Sequence, residues 1–314
     1  MTFIPGGLRV PGLNRLDAWA TDAGFAAGWM MVRAMPELLA RNAFDAGALF
    51  ASRGGGPEQL RKNLARVLGV APPEVPAALM RASLASYARY WREAFRLPTM
   101  DHAALARQLH ESVLGRDHIT AALADGRGAV LALPHSGNWD MAGVWLAQTH
   151  GGFTTVAERL KPESLYRRFL EFREGLGFEV LPLSGGNRPP FETLAERLAD
   201  NGLVCLMADR DLTRSGVAVE FFGEITRMPA GPAKLAIETG AALLPAYCWF
   251  ESDGWGIRVH DPLETSGGDV DEIIQALADS FAEGIAGHPA DWHMLQPQWV
   301  ADLPESRRAR LGES

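Results

Sequence analysis

Cysteine is scarce: 314 residues hold two, Cys205 and Cys248. Both stand in apolar runs, LVCLMA and PAYCWF, so they read as packed thiols. That count rules out a disulfide framework and suits a reducing compartment. Positive charge is also in deficit, with a formal net charge of −8. A general nucleic-acid binder needs a concentrated basic surface, so that class is set aside, although a local basic patch could still meet a membrane. No long apolar run is present near the start. Ala23–Val32 is fenced by Asp22 and Arg33 and falls well short of the roughly 20 residues that span a bilayer. MTFIPGGLRVPGLNRLDAW lacks the charged start and unbroken apolar core of a signal peptide. The eight histidines are scattered without ligand spacing, so no metal or other cofactor is expected. GGGPEQLRK (54–62) is followed by no G-K-[ST] and is no phosphate loop, and the G-x-S-x-G nucleophile elbow is missing.

Hydrophobic residues make up 47% of the chain and charged residues 22%, which supports a sizeable core in one large domain. Residues 1–125 read as mainly helical. The strongest pattern runs from about Pro76 to Leu97, with Met80, Leu84, Tyr87, Trp91 and Phe95 on one stripe. Arg89, Arg92 and Arg96 fall opposite and predict a solvated basic face, or one that meets anionic lipid. From 126 to 300 the texture alternates. GAVLALP, FTTVAE, FEVLPL, LVCLMA, VAVEFFG and ALLPAYCWF read as strands, with helical patterns near 162–175, 189–200, 230–239 and 270–286. A hairpin turn is expected at Asp253-Gly254-Trp255. The fold class is therefore α/β: a mixed central sheet with helices on both faces, preceded by an N-terminal helical region. Residues 301–314 read as a polar tail.

The chemistry concentrates in LALPHSGNWD, residues 131–140. A strand ending at Pro134 would leave His135 in the turn off its carboxyl end, where open α/β sheets place ligands. Asn138 suits a helix cap, and Asp140 then lies in the first helical turn. Asp209-Arg210-Asp211 follows a second strand. If the two strands share a sheet, Asp209 emerges beside His135, and a carboxylate there would fix the imidazole tautomer for general-base work. The sequence leaves open whether Asp140 or Asp209 orients the ring; Asp209 is preferred, with Asp140 holding the loop.

PHSGNWDMAG (134–143), AERLKPESLYRRFLEFREGLG (157–177), MADRDLTRSGVAVEFFGEITRMPAGPAKLAIETGA (207–241) and DWHMLQPQW (291–299) run in one order. In these blocks the chain resembles the lauroyl acyltransferase family of lipid A biosynthesis, and more closely its branch that acylates phosphatidylinositol mannosides. SLASYARYWREAFRLP (83–98) also fits. The resemblance implies a single acyltransferase domain over 1–314. It implies a long acyl chain, palmitoyl, passing from acyl-CoA as co-substrate to the 6-hydroxyl of a mannose, without a covalent acyl-enzyme. His135 would be the base of a histidine-x4-aspartate motif and Asp140 its acid, with Asp209 at the position that pairs with the histidine.

Asn138, Glu158, Arg159, Arg173 and Arg227 would bind substrate or brace the site. Lys161, Arg167 and Arg168 are candidates for lipid or CoA phosphates. Amide groups of Ser136–Asn138 are candidates for holding the oxyanion. Phe221, Phe222, Trp139 and Trp145 are candidates for an acyl tunnel. Lipid A enzymes usually carry an N-terminal spanning helix, and its lack favours the mannoside branch, peripheral on the cytoplasmic face of the plasma membrane. Lipid A-type or glycerolipid transfer, a thioesterase and a non-catalytic lipid-binding protein are the alternatives.

Overall fold

A computed structural model describes residues 28–159 and 163–311. The expectations for residues 1–27, including the first half of Ala23–Val32, and for Lys161 lie outside the described residues. Among the described residues a helical stretch at 28–34 is followed by α1 (Glu37–Ala51), α2 (Glu58–Leu68), α3 (Ala77–Arg96), α4 (His102–His110) and α5 (Arg116–Ala124). Prolines 36, 57 and 76 occupy the N-caps of α1, α2 and α3, where a fixed φ and a missing N–H cost the helix nothing.

The basic face expected on α3 is not solvated. Arg89 donates to Glu93 (2.7 Å) and to the carbonyls of Glu251 and Gly254 (2.8 Å each). Arg92 is buried, and Arg96 pairs with Glu37 at 2.9 Å. Charges within reach of backbone carbonyls and carboxylates at an element junction are spent on that junction, so this face is not offered to lipid.

The alternating strands and helices form a mixed central sheet of seven strands. Its strands are β1 (Val113–Leu114), β2 (Ala129–Leu133), β3 (Phe153–Ala157), β4 (Phe178–Pro182), β5 (Leu203–Met207), β8 (Ala242–Glu251) and β9 (Gly254–Val259), in the order β1-β9-β8-β2-β5-β3-β4. Only the β8–β9 pairing is antiparallel. β2 is the middle strand. Ala129, Leu131 and Leu133 face one apolar core, Val130 and Ala132 the other, as the two-residue period of a strand requires. Helices α6 (Trp139–His150) and α7 (Glu163–Glu174) cover the first face. α8 (Pro190–Ala199), α9 (Gly231–Thr239) and α10 (Val270–Gly287) cover the second. Burial on both sides explains why these strands read as continuous apolar runs.

Two sequence expectations shift. VAVEFFG forms β6 (Val217–Phe221), which pairs with β7 (Glu224–Met228) as a separate hairpin rather than joining the sheet. The β8–β9 turn falls at Ser252-Asp253, so that Gly254 already pairs with Glu251.

The stretch read as a polar tail is folded down to Leu311. Val300 and Leu303 bury against Leu212, and α11 (Glu305–Leu311) follows. Asp302 accepts from both terminal nitrogens of Arg66 (3.0 and 3.1 Å) and from Gln59 (2.7 Å). Asn63 of α2 is fully buried and donates to the carbonyls of Met294 and Gln296, 2.8 Å each. The N-terminal helices thus hold the 294–302 segment against the sheet. Asn63→Ala takes the donor from the buried Met294 carbonyl and the half-buried Gln296 carbonyl and should cost roughly 2–3 kcal/mol. Chemical denaturation measures this, and hydrogen exchange should quicken at 291–299.

Candidate active site

β2 and β5 are adjacent and parallel, with Leu133 opposite Met207. Two residues further along each strand stand His135 and Asp209. Register alone therefore sets the two side by side at the carboxyl edge of the sheet, neighbouring strands being about 4.8 Å apart. The imidazole Nδ1 lies 2.7 Å from Asp209 Oδ1. Asp209 Oδ2 accepts from the His135 backbone N–H (3.0 Å) and from Trp292 Nε1 (3.2 Å). Asp209 is fully buried, and the imidazole is 13% exposed.

Burial alone would raise the Asp209 carboxyl. The imidazole charge beside it and the hydrogen bonds from His135 and Trp292 outweigh that and hold it at about 2. Burial lowers His135 from its ordinary value, with Asp209 opposing. At neutral pH the pair is then an ionised carboxylate beside a neutral imidazole whose Nδ1 carries the proton, the form a general base needs.

The turn holding His135 is locked by the 291–293 segment. The Ser136 N–H donates to the Pro134 carbonyl (2.8 Å), the Gly137 N–H to the Asp291 carbonyl (2.9 Å), and the His293 N–H to the His135 carbonyl (2.7 Å). Gly137 has φ +54°, and a Cβ there would stand 2.6 Å from the Cys248 carbonyl carbon, so glycine alone fits. The Ser136 and Gly137 amides expected to serve an oxyanion are already used. Ser136 Oγ, fully buried, accepts from the Cys248 N–H at 3.3 Å.

The open question of the two acids is answered by distance. Asp140 is buried at the first turn of α6 and binds Tyr90 Oη (2.9 Å) and Arg173 Nε (3.1 Å). It braces α6 to α3 and α7, while Asp209 holds the imidazole. Asn138 caps α6 by accepting from the Met141 N–H (3.1 Å) and donates to Glu93 (2.8 Å). With both ends of its amide used in the scaffold, it is placed to shape the loop rather than to hold substrate.

A cavity of about 750 Å³ opens in front of His135. Trp139, Phe169, Leu170 and Met207 give it apolar walls, and Glu158, Arg173 and Arg210 give it charge. Arg159 and Arg227 do not line it. Arg159 pairs with Glu163 (2.9 Å) on the surface, and Arg227 donates to the Gly216 carbonyl (2.7 Å). Arg167 and Arg168 of α7 do not line it either. Of the four aromatics proposed for a tunnel, only Trp139 faces this cavity. Trp145 borders a separate pocket of about 80 Å³ between α6 and the sheet. Phe221 is core, packed on Trp299, and Phe222 occupies the β6–β7 turn at φ +52°.

Sequence reading gave no role to Trp292, His293 or Gln298. His293 is buried, lines the cavity, and sits 2.9 Å from Ser86 Oγ, which donates to Asp291 (2.6 Å). Burial depresses its imidazole to about 3, so it stays neutral. Gln298 donates to the Asp209 carbonyl. The only signal was that they belong to DWHMLQPQW, a block without period.

The model of the bacterial lipid A biosynthesis acyltransferases matches residues 11–301. The chain belongs to that family. It is 72% identical to the phosphatidylinositol mannoside acyltransferase of Mycolicibacterium smegmatis over 304 residues, 97% of this chain and 98% of the relative. It is 70% identical to the protein of that name from Mycobacterium tuberculosis over 307 residues, 97% of each. The family resemblance read in the sequence holds over nearly the whole chain.

In this family member both groups of the pair are depressed. Their stabilisation is complete above the unfolded values, about 6.5 and 3.9, and is lost on acidification, the Asp209 share between about pH 4 and 2. An NMR titration should place the His135 inflection below 6.5. Asp209→Asn removes the charge that opposes burial, so the inflection should fall further. A rise would contradict the pairing.

Proposed function

We propose that the protein transfers a long acyl chain, palmitoyl, from acyl-CoA to the 6-hydroxyl of a mannose of phosphatidylinositol mannosides, with His135 as general base. The observation that carries this is the Asp209-held imidazole on the wall of a cavity with both apolar and charged lining. The names of the relatives support the acceptor. With Nδ1 committed to Asp209, Nε2 receives the acceptor hydroxyl proton. The oxygen attacks the thioester carbonyl, and the tetrahedral intermediate collapses with expulsion of the CoA thiolate, which takes the proton back from the imidazolium. Asp209 stabilises the imidazolium between the two transfers. Arg173, fixed by Asp140, and Glu158 are the cavity groups in position to meet polar substrate atoms.

His135→Ala should lower the rate by roughly 10²–10⁴ with the fold kept. Mass spectrometry of products from acyl-CoAs of several lengths with phosphatidylinositol mannosides reads the rate, the chain and the hydroxyl. Normal turnover by the folded variant would sink the base assignment; free fatty acid as the sole product would point to a thioesterase.

The proposed location is peripheral, on the cytoplasmic face of the plasma membrane. No helix among the described residues is long and apolar enough to cross a membrane. An exposed apolar face on α1 supports the reading. Leu38, Leu39, Leu49 and Phe50 are each more than half exposed. Together with the exposed Ala43 and Ala46 their spacing gathers them on one side, broken by Asn42 but by no charge. It is an apolar face of the kind that lies in a bilayer interface. In vesicle flotation, Leu38→Glu with Phe50→Glu should release the protein, whereas raised salt should not. Release by salt alone would mean that charge carries the contact.

A further inference from the structure

The general-base chemistry makes no use of the second imidazole on the cavity wall. His293 is buried, and its ring forms part of that wall together with His135 and Trp139. The His293 N–H holds the His135 carbonyl at 2.7 Å. Both imidazoles stand against the Trp139 ring, with centroids 5.6 Å away for His135 and 6.0 Å for His293.

The tautomer of His293 follows from what lies behind it. Ser86 Oγ on α3 stands 2.6 Å from Asp291 Oδ1 and 2.9 Å from His293 Nε2. Asp291 Oδ2 accepts from the Phe250 N–H at 2.9 Å. A carboxylate only accepts, and a hydroxyl has one proton to give. Were that proton turned to His293, lone pairs of Ser86 and Asp291 would face each other at 2.6 Å. The proton therefore goes to Asp291, and Ser86 Oγ accepts from Nε2–H. The ring is neutral, so Nδ1 carries a bare lone pair. Nδ1 is buried and has no hydrogen-bond partner among the described residues. Tyr87, Tyr90, Trp139 and Phe250 pack around the ring, and Tyr90 spends its hydroxyl on Asp140. The cavity is then the side from which a donor can reach Nδ1. A buried acceptor without a donor is costly, and a ligand with a hydroxyl would remove that cost. We infer that His293, held by Ser86 and Asp291 with its proton on Nε2, offers Nδ1 to a second hydroxyl of the sugar whose reacting hydroxyl meets His135. The inference deepens the proposed function and rests on its sugar acceptor.

Two measurements test it, one of them without turnover. In protein carrying isotope-labelled histidine, the imidazole nitrogen resonances of the wild type should show His293 protonated at Nε2 and bare at Nδ1. Ser86→Ala should let the two forms mix. A proton on Nδ1 in the wild type overturns the inference. Transfer is then followed from palmitoyl-CoA to synthetic phosphatidylinositol mannosides, each with one non-reacting mannose hydroxyl replaced by hydrogen. For one of these the wild type should lose roughly tenfold in kcat/KM, the worth of one hydrogen bond, with the KM for palmitoyl-CoA unmoved. His293→Gln can still reach Ser86 but places nothing at Nδ1. It should show the same loss with the complete acceptor and no further loss with that deoxy acceptor. His293→Asn, which can set an amide oxygen in the place of Nδ1, should recover part of the activity. Losses that multiply between variant and deoxy acceptor, or a wild type indifferent to every deletion, overturn the inference. So does a loss confined to the KM for palmitoyl-CoA, which would put a pantetheine amide at Nδ1. If the wild type binds the mannosides without acylating them, the proposed function fails, and the same comparison made on dissociation constants still decides the inference.

Discussion

The bond between His135 Nδ1 and Asp209 Oδ1 is the contact around which the site is assembled, and it exists because β2 and β5 pair in one register. A shift by one residue would turn every side chain of the strand to the other face. It would also part the imidazole from the carboxylate. Both cores guard against that shift, since β2 sends apolar side chains alternately into each. The register that packs the middle of the sheet is thus the same one that aligns the pair.

Around the pair, polar groups are committed to one another with little left over. Asp209 is buried at a cost that three hydrogen bonds and the neighbouring imidazole offset. The turn amides are held by Pro134 and Asp291, and the His135 carbonyl by His293. Such saturation fixes the ring in one orientation, because any rotation would strand a buried donor or acceptor. Asp140 does the same for Arg173 at the cavity wall, away from the imidazole. The histidine and aspartate of the motif therefore serve different ends: one faces the cavity, and the other, at the first turn of the next helix, anchors the helix that closes it.

The 291–302 segment has a corresponding role on the far side. It lies between the N-terminal helices and the sheet edge, tied to Asn63 and Arg66 behind and to Gly137, His135 and Asp209 in front. The helical N-terminal part and the α/β part thus meet through the residues that hold the site. That arrangement is why the arginines of α3 are consumed at the junction.

Residue order was enough to reveal the alternation of apolar strands and helices, the place of His135 at a strand end, and the family. Each is written in local signals: a two- or 3.6-residue period, a proline stop, a cap, an ordered set of motifs. Residue order also carried the favoured partner of His135, because two strand ends with a histidine and an acid invite one another. Packing was needed to show which acid reaches the ring and that Asp140, Asn138, Arg159 and Arg227 turn to scaffold contacts. Packing alone brought Trp292, His293 and Gln298 to the site from the far end of the chain. These are contacts between residues tens to hundreds of positions apart. No local period encodes them; they follow from how the sheet and its helices come together.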